Sequence, residues 1–263
     1  MPSSSLALFA QGLALQVGRQ LAQRFEANRN HPRRKADRSL VTDADLAADE
    51  AFTRALEAAF PGVPVLSEER TTALADITEA WVLDPLDGTT NFALGLPLWG
   101  VLLAFLEAGQ PTVGVAYFPM TDELFVAVRG QGATRNGEPI HTRGINAAHN
   151  TALALLCSRS VRRYRLSWPW KTRILGSAAY DLAMVARGVA VAALQATPKV
   201  WDLAAPTLLL SEAGGFWQTL GDFPLFPLQP GVDYQTRNFP LLAAASPALW
   251  KQARAGVAPR PAG

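Results

Sequence analysis

Two carboxylates three residues apart, Asp84 and Asp87, end an apolar run in the stretch WVLDPLDGTTNF, residues 81–92. The run reads as a strand that delivers Asp84 at its C-terminal end. Pro85 forbids simple continuation, and Asp87-Gly88-Thr89-Thr90 reads as a turn into a short helix. Carboxylates converging on one point repel each other and are costly to desolvate, so a positive partner is expected there. Hard oxygen ligands without His or Cys favour Mg²⁺ or Mn²⁺. The N–H groups of Gly88 and Thr89, opening a helix, favour a bound anion such as phosphate. A lone Asp-Pro or Asp-Gly is ordinarily a turn or a cap; two acids followed by Gly-Thr-Thr point instead to chemistry.

The elements that must hold this stretch follow from hydrophobic spacing. Phe9, Leu13, Val17 and Leu21 repeat every fourth residue, which predicts an N-terminal helix ending near residues 28–32. A second helix is expected over 45–60, with Phe52, Leu56 and Phe60 on one face, its acids early, and Pro61-Gly62 as the stop. Strands are expected at 81–83, 98–106, 112–118 and 124–128, then a turn at Asn136-Gly137 and a short run at 139–142. Further strands are expected at 151–157, 189–194 and 241–245, and helices at 178–187, 202–213 and 247–255. Helices first, then antiparallel-looking strands, then alternating strand and helix make a layered mixed α/β chain with two lobes.

Composition narrows the classes. The 263 residues carry 24 Lys+Arg against 22 Asp+Glu, a net charge of +2, and 49% are hydrophobic. Such a chain buries a large core and is not disordered in bulk. Near-neutrality hides an asymmetry: residues 37–87 hold 12 of the acids and only Arg38, Arg54 and Arg70 in return. One cysteine, Cys157, makes no internal disulfide, the N-terminus lacks a basic region and a long apolar core, and no apolar run reaches about 18 residues. The expectation is a cytoplasmic protein without a membrane span. Basic groups near 31–35 and 159–173 read as solvated loops before a nucleic-acid groove, so no nucleic-acid partner is expected.

Residues 81–92 resemble the metal-binding signature of the inositol monophosphatase family of Mg²⁺-dependent phosphomonoesterases. Residues 201–215, WDLAAPTLLLSEAGG, resemble its other signature. Smaller pieces also fit: Val41 with Asp43 and Asp45, Leu66-Ser67-Glu68-Glu69, Tyr117 to Pro119 with Glu123, Asn136-Gly137, and Gly176-Ser177-Ala178-Ala179. The resemblance covers about residues 35–250. It implies an αβαβα five-layer sandwich of the inositol monophosphatase and fructose-1,6-bisphosphatase type. That would be one domain over 1–263, with a metal-binding lobe over about 1–145 and a substrate lobe over about 146–263.

By the same resemblance, Glu68, Asp84 and the Leu86 carbonyl hold one metal, and Asp84, Asp87 and Asp202 a second. A third, weaker ion uses Glu68 with Asp45 in the outer shell. Two or three Mg²⁺ are implied, with Mn²⁺ as a substitute, and paired ions clamp the attacking and leaving oxygens of a phosphate ester. Glu68 and Thr89 would orient and deprotonate the water, and Gly88 and Thr89 N–H groups would hold the phosphate, with no covalent intermediate. Asp87, Gly176, Ser177, Ala178 and Asp202 would line the substrate. Gln195 stands where the family typically has a Glu, which weakens recognition of an inositol hydroxyl. Implied with these are Li⁺ inhibition and a homodimer acting on a small phosphate ester. Histidinol-phosphate phosphatase, nucleotide 3′-phosphatase and fructose-1,6-bisphosphatase are the alternatives, and a silent anion- or partner-binding relative is the remoter one.

Blander readings stand beside several of these residues. Either Glu68 or Glu69 is expected to face solvent, Asp45 serves equally as a helix N-terminal charge, and Asp202 as a cap. Thr42 and Asp43 read as caps, and Asp37, Asp49, Glu50, Glu57, Asp76 and Glu79 as surface charges. Cys157 reads as a small buried residue on a strand. His31, His141 and His149 have no ligand spacing, and Arg34 and Lys35 read as a solvated turn. Arg159, Arg162, Arg163 and Arg165 read as an exposed basic loop, or as the partner of a second anionic group on a larger substrate.

Overall fold

Helix α1 (Ser3–Glu26) buries Leu6, Leu13, Val17 and Leu21 along one stripe, as a period of 3.6 requires. The structure is a computed structural model that describes residues 3–27, 33–34, 40–41, 43–142 and 151–260. A two-residue pair, β1 (Arg33–Arg34) and β2 (Leu40–Val41), precedes α2 (Asp43–Ala59), which buries Phe52 and Leu56 and carries Asp43 and Asp45 in its first turn. Then come β3 (Val65–Ser67), β4 (Glu79–Asp87), the short α3 (Thr89–Ala93), β5 (Gly100–Glu107), β6 (Gln110–Phe118), β7 (Glu123–Val128), β8 (Gly132–Arg135) and β9 (Glu138–Pro139). The seven strands form one sheet in chain order; β3 runs parallel to β4 and every other pair is antiparallel. Asn136 and Gly137 both take positive φ, 51° and 84°, the conformation of a two-residue hairpin turn.

The second half of the chain supplies β10 (Leu153–Leu156), α4 (Ser158–Arg163), β11 (Tyr164–Leu166), β12 (Lys171–Arg173), α5 (Ala178–Ala186), β13 (Ala192–Gln195), α6 (Val200–Glu212), β14 (Phe216–Thr219), β15 (Leu241–Ala244), α7 (Pro247–Ala255) and β16 (Val257–Pro259). Its main sheet has the order β12-β10-β13-β15-β14, with β12, β10 and β13 parallel and β15 antiparallel to both neighbours. A separate pair joins β11 to β16.

Period-two alternation assigns the layers. Trp81, Leu83, Val101, Leu103 and Phe105 face α1 and α2, where Phe9, Phe60, Trp81 and Phe105 meet in edge and tilted ring contacts about 5 Å apart. Val82, Leu102 and Ala104 face the opposite way, onto the layer formed by α5 and α6. That layer also covers Leu155, Ala193, Leu241 and Ala243 of the second sheet, and α7 closes the far side over Leu242 and Ala244. The result is the αβαβα sandwich expected above. Each fully buried Phe or Leu in it contributes roughly 1.5–3 kcal/mol.

Three expectations shift. The strand expected at 189–194 lies at 192–195, because the Val189 and Ala190 N–H groups cap the end of α5 by bonding the Met184 carbonyl. Strand β4 does not stop at Asp84 but continues to Asp87. The basic segment from Arg159 to Arg165 is not a loop: it forms α4 and β11. No helix among the described residues is long and apolar enough to cross a membrane.

Candidate active site

Strand β4 loses its regular pairing where the acids begin. Asp84 faces Leu102 of β5 and Asp87 faces Gly100, so three steps on one strand oppose two on the other. Pro85, with no N–H for the ladder, lies inside this bulge. Residues three apart on a regular strand point to opposite faces; the extra residue turns both acids toward the same cluster of charges.

Carboxylate oxygens of Glu68, Asp84 and Asp202 lie within 4.8 Å of one another. Each comes from a different element: the turn after β3, the strand β4, and the first turn of α6. Asp202 is both cluster member and cap, its Oδ2 accepting the Lys199 N–H at 2.8 Å. Asp84 Oδ1 accepts the Leu86 N–H at 3.0 Å, while Oδ2 is buried without a donor among the described residues. Glu68 is set by its neighbour Ser67, whose hydroxyl donates to Asp49 and accepts the Glu69 N–H at 3.3 Å. Asp49, expected on the surface, is instead buried on α2 and pairs with both Ser67 and Arg70. Glu68 and Glu69 are both half-buried.

Burial, followed by the charges of Glu68, Asp202 and Asp87, pushes Asp84 well above the carboxylate range. Asp202 rises to about 8, chiefly by burial and then by repulsion from Asp87 and Glu68. Desolvated oxygens gathered this closely, one of them without a donor, fit an oxygen-ligated divalent cation such as Mg²⁺. Asp87 lies beside the trio and faces the start of α5. It accepts from the Ser177 hydroxyl and from the N–H groups of Ala178 at 3.3 Å and Ala179 at 3.1 Å. Burial outweighs these bonds and raises it to about 6.

Thr89 begins α3, and its Oγ1 lies 3.1 Å from Asp45 Oδ1 and 3.0 Å from the Leu86 carbonyl. A hydroxyl carries one proton, so it donates to one of them at a time. Asp45 is 1% exposed, which removes the reading as a solvated helix-end charge. Gly88 has φ +85°, and a Cβ there would sit 2.9 Å from the Leu98 carbonyl oxygen. Across the cleft Gly176 has φ +86°, and its Cβ would meet Asn91 Oδ1 at 2.6 Å. Asn91 Nδ2 donates to Leu98 O at 2.6 Å and Leu175 O at 2.8 Å, fastening the loop before α5 to the loop after α3. The buried Glu123 holds α5 from the other side through Tyr180, at 3.0 Å, and Arg187.

These groups open onto a cleft of about 520 Å³ lined on one wall by Glu68, Asp87, Gly88, Thr89 and Asp202, and on the other by Gly176, Ser177, Ala178 and Gln195. Leu86, Asp84 and Asp45 lie behind the first wall. Sequence reasoning missed Asn91 and Asp181. Gln195 Nε2 donates to Asp181 Oδ2 at 2.6 Å, and burial pushes Asp181 well above the usual range. An acid inside the otherwise apolar AAYDLAMVA helix was the available signal. Cys157 is not buried within a strand; it follows β10, is partly exposed, lines the cleft, and accepts the Ala196 N–H at 3.3 Å. His141 is exposed. The expectations for His31, Lys35, Asp37, Thr42 and His149 lie outside the described residues, as does the Arg34 side chain.

Known proteins resemble this chain in sequence and in fold. The chain is 35% identical over 215 residues to an inositol-1-monophosphatase of Mesorhizobium japonicum, covering 77% of this chain and 81% of that protein. It is 36% identical over 196 residues to a protein of Xylella fastidiosa named Nus factor SuhB, covering 71% of each. The solved inositol monophosphatase of Anabaena superposes with a TM-score of 0.76 at 27% identity, covering 97% of this chain and 96% of that one. The model of the Inositol monophosphatase family matches residues 3–251. A match of that extent spans both sheets and all three cluster carboxylates, and the chain belongs to the inositol monophosphatase family.

Proposed function

We propose that this protein is a Mg²⁺-dependent phosphomonoesterase acting on small polyol or sugar phosphates, inositol 1-phosphate being the reference substrate. The observation that carries the reading is the trio Glu68, Asp84 and Asp202, with a donorless buried oxygen, beside a cleft of small-molecule size. Glu68, Asp84, the Leu86 carbonyl, Asp87 and Asp202 are the groups that would hold Mg²⁺. Two or three divalent ions bound there supply charge neutralisation and an acidified water for attack on phosphorus.

The chain's own residues do the rest. Glu68 and Thr89 orient the attacking water. Thr89 passes its hydroxyl proton to Asp45, 3.1 Å away, as it takes one from the water. The N–H groups of Gly88 and Thr89 bind the phosphate oxygens, and Gly88, with no Cβ and a positive φ, lets the backbone approach. Gly176, Ser177, Ala178, Gln195 and the free edges of Asp87 and Asp202 face the alcohol. Gln195 offers a hydrogen bond without a charge, which favours a broader range of alcohols than a carboxylate would. The division into a metal lobe and a substrate lobe, a homodimer and Li⁺ inhibition rest on the family likeness, and a cytoplasmic location on the single cysteine.

The experiment is phosphate release by the purified protein from inositol 1-phosphate, histidinol phosphate, fructose 1,6-bisphosphate and adenosine 3′,5′-bisphosphate, with Mg²⁺ and with EDTA. Mg²⁺-dependent release from at least one supports the reading. No turnover of any ester sinks it, and leaves the alternative of a catalytically silent anion- or partner-binding protein.

A further inference from the structure

The cleft has walls of opposite charge. Glu68, Asp87 and Asp202 stand on the metal side, and Arg159 is the only Lys or Arg among its described lining residues. Arg159 sits on α4 with its guanidinium exposed, its Nη1 3.2 Å from Thr197 Oγ1, and it pairs with no carboxylate among the described residues. A guanidinium has five N–H donors, so most remain for a ligand.

The mount for this cation is firm. The Cys157 N–H bonds the Leu194 carbonyl at 3.2 Å, the Ser160 hydroxyl bonds the same carbonyl at 2.7 Å, and the Ala196 N–H bonds Cys157 Sγ at 3.3 Å. These contacts stitch the start of α4 to the end of β13, where Gln195 lies. The wall beside Arg159 carries no strong negative charge: Gln195 is neutral, and burial disfavours ionisation of Asp181. Residues 151–263 hold 12 Lys+Arg against 5 Asp+Glu, so the half of the chain that bears Arg159 favours anions as a whole.

We propose that Arg159 and Thr197 form a second anion subsite, so that the preferred substrate is a small phosphate ester whose alcohol half carries a further phosphate or carboxylate. This deepens, and rests on, the phosphomonoesterase reading. The ester phosphate lies at the metal wall, the carbon skeleton spans Gln195, and the distal anion meets the guanidinium. Arg159 acts by binding and takes no part in the chemical step.

The test measures kcat and KM with Mg²⁺ for esters with one anion (inositol 1-phosphate, glycerol 2-phosphate), with a second phosphate (fructose 1,6-bisphosphate, adenosine 3′,5′-bisphosphate) and with a carboxylate (glycerate 2-phosphate). The native chain should favour one of the latter two groups, which decides between phosphate and carboxylate. Arg159→Ala should raise KM for that group by about tenfold or more, with kcat nearly unchanged and single-anion esters unaffected. Arg159→Lys should restore part of the preference. Equal change on all esters, or none, overturns the subsite while leaving the phosphatase intact. If no ester is hydrolysed, the phosphatase reading falls and binding alone decides. Fructose 1,6-bisphosphate must then raise the Tm of the native chain and not that of Arg159→Ala; equal shifts overturn the proposal.

Discussion

Replacing Asp84 by Asn keeps the side-chain shape and the acceptor for the Leu86 N–H, and removes the need to hold either a charge or a proton at the centre of the cluster. Carboxylates up to 4.8 Å apart repel by about 3–4 kcal/mol per fully ionised pair at an effective dielectric near 20. Protons retained by Asp84 and by Asp202, which titrates at about 8, relieve most of this. Holding those protons at pH 8 itself costs about 1.4 kcal/mol per unit of elevation, so at least about 3 kcal/mol of strain stays in the cluster. Asp84→Asn is therefore expected to unfold at least about 6 °C higher than the native sequence at pH 8 in EDTA. Mg²⁺ should reverse the order, because the native sequence gains binding free energy and the variant loses its central ligand. Thermal unfolding of both proteins, with EDTA and with Mg²⁺, reads the effect. A variant less stable in EDTA, or one that gains as much from Mg²⁺ as the native sequence, would refute the reasoning.

Other predictions follow from the same geometry. Asp84, Asp87 and Asp202 are all raised above their unfolded values, so the folded protein holds more protons than the unfolded chain from about pH 4 to 8. Without metal, stability should fall as pH rises through that window, and the stabilisation by Mg²⁺ should grow; a metal-free Tm that climbs from pH 5.5 to 8 contradicts this. Gly176→Ala forces a Cβ onto Asn91 at φ +86°, and should cost about 1–3 kcal/mol in urea unfolding; an unchanged midpoint would mean the loop relaxes freely. Gln195→Glu sets a second carboxylate against Asp181 Oδ2, now bonded at 2.6 Å. The pair must share a proton, so the variant should match the native Tm near pH 5 and fall below it by pH 8; a pH-independent difference points to packing instead.

Much of the site was legible in the sequence because its chemistry is concentrated in two short stretches. Asp84, Asp87, Gly88 and Thr89 lie within six residues, and Asp202 opens a helix that its own side chain caps. The long helices and the central strands were legible for the same reason, since their apolar periods extend over many turns or pairs. Strands of two to four residues such as β3, β12 and β14 carry no period to read. Asp49 illustrates a harder limit: an acid on an amphipathic helix reads as solvated until the fold places Ser67 and Arg70 against it. Asn91 and Asp181 were missed because their partners lie far along the chain, at Leu175 and Gln195. The bulge that turns Asp84 and Asp87 the same way was half visible in Pro85, but its register requires β5.

If the Glu68, Asp84 and Asp202 carboxylates hold the metal for ester hydrolysis, as proposed, turnover must depend on both Mg²⁺ and Asp84. Phosphate release from the best ester of the panel, titrated with Mg²⁺ for the native sequence and for Asp84→Asn, tests it most directly. The native protein should show saturable activation abolished by EDTA, and the folded variant a loss of at least about a hundredfold. A folded Asp84→Asn protein that retains native turnover and the native Mg²⁺ dependence would contradict it.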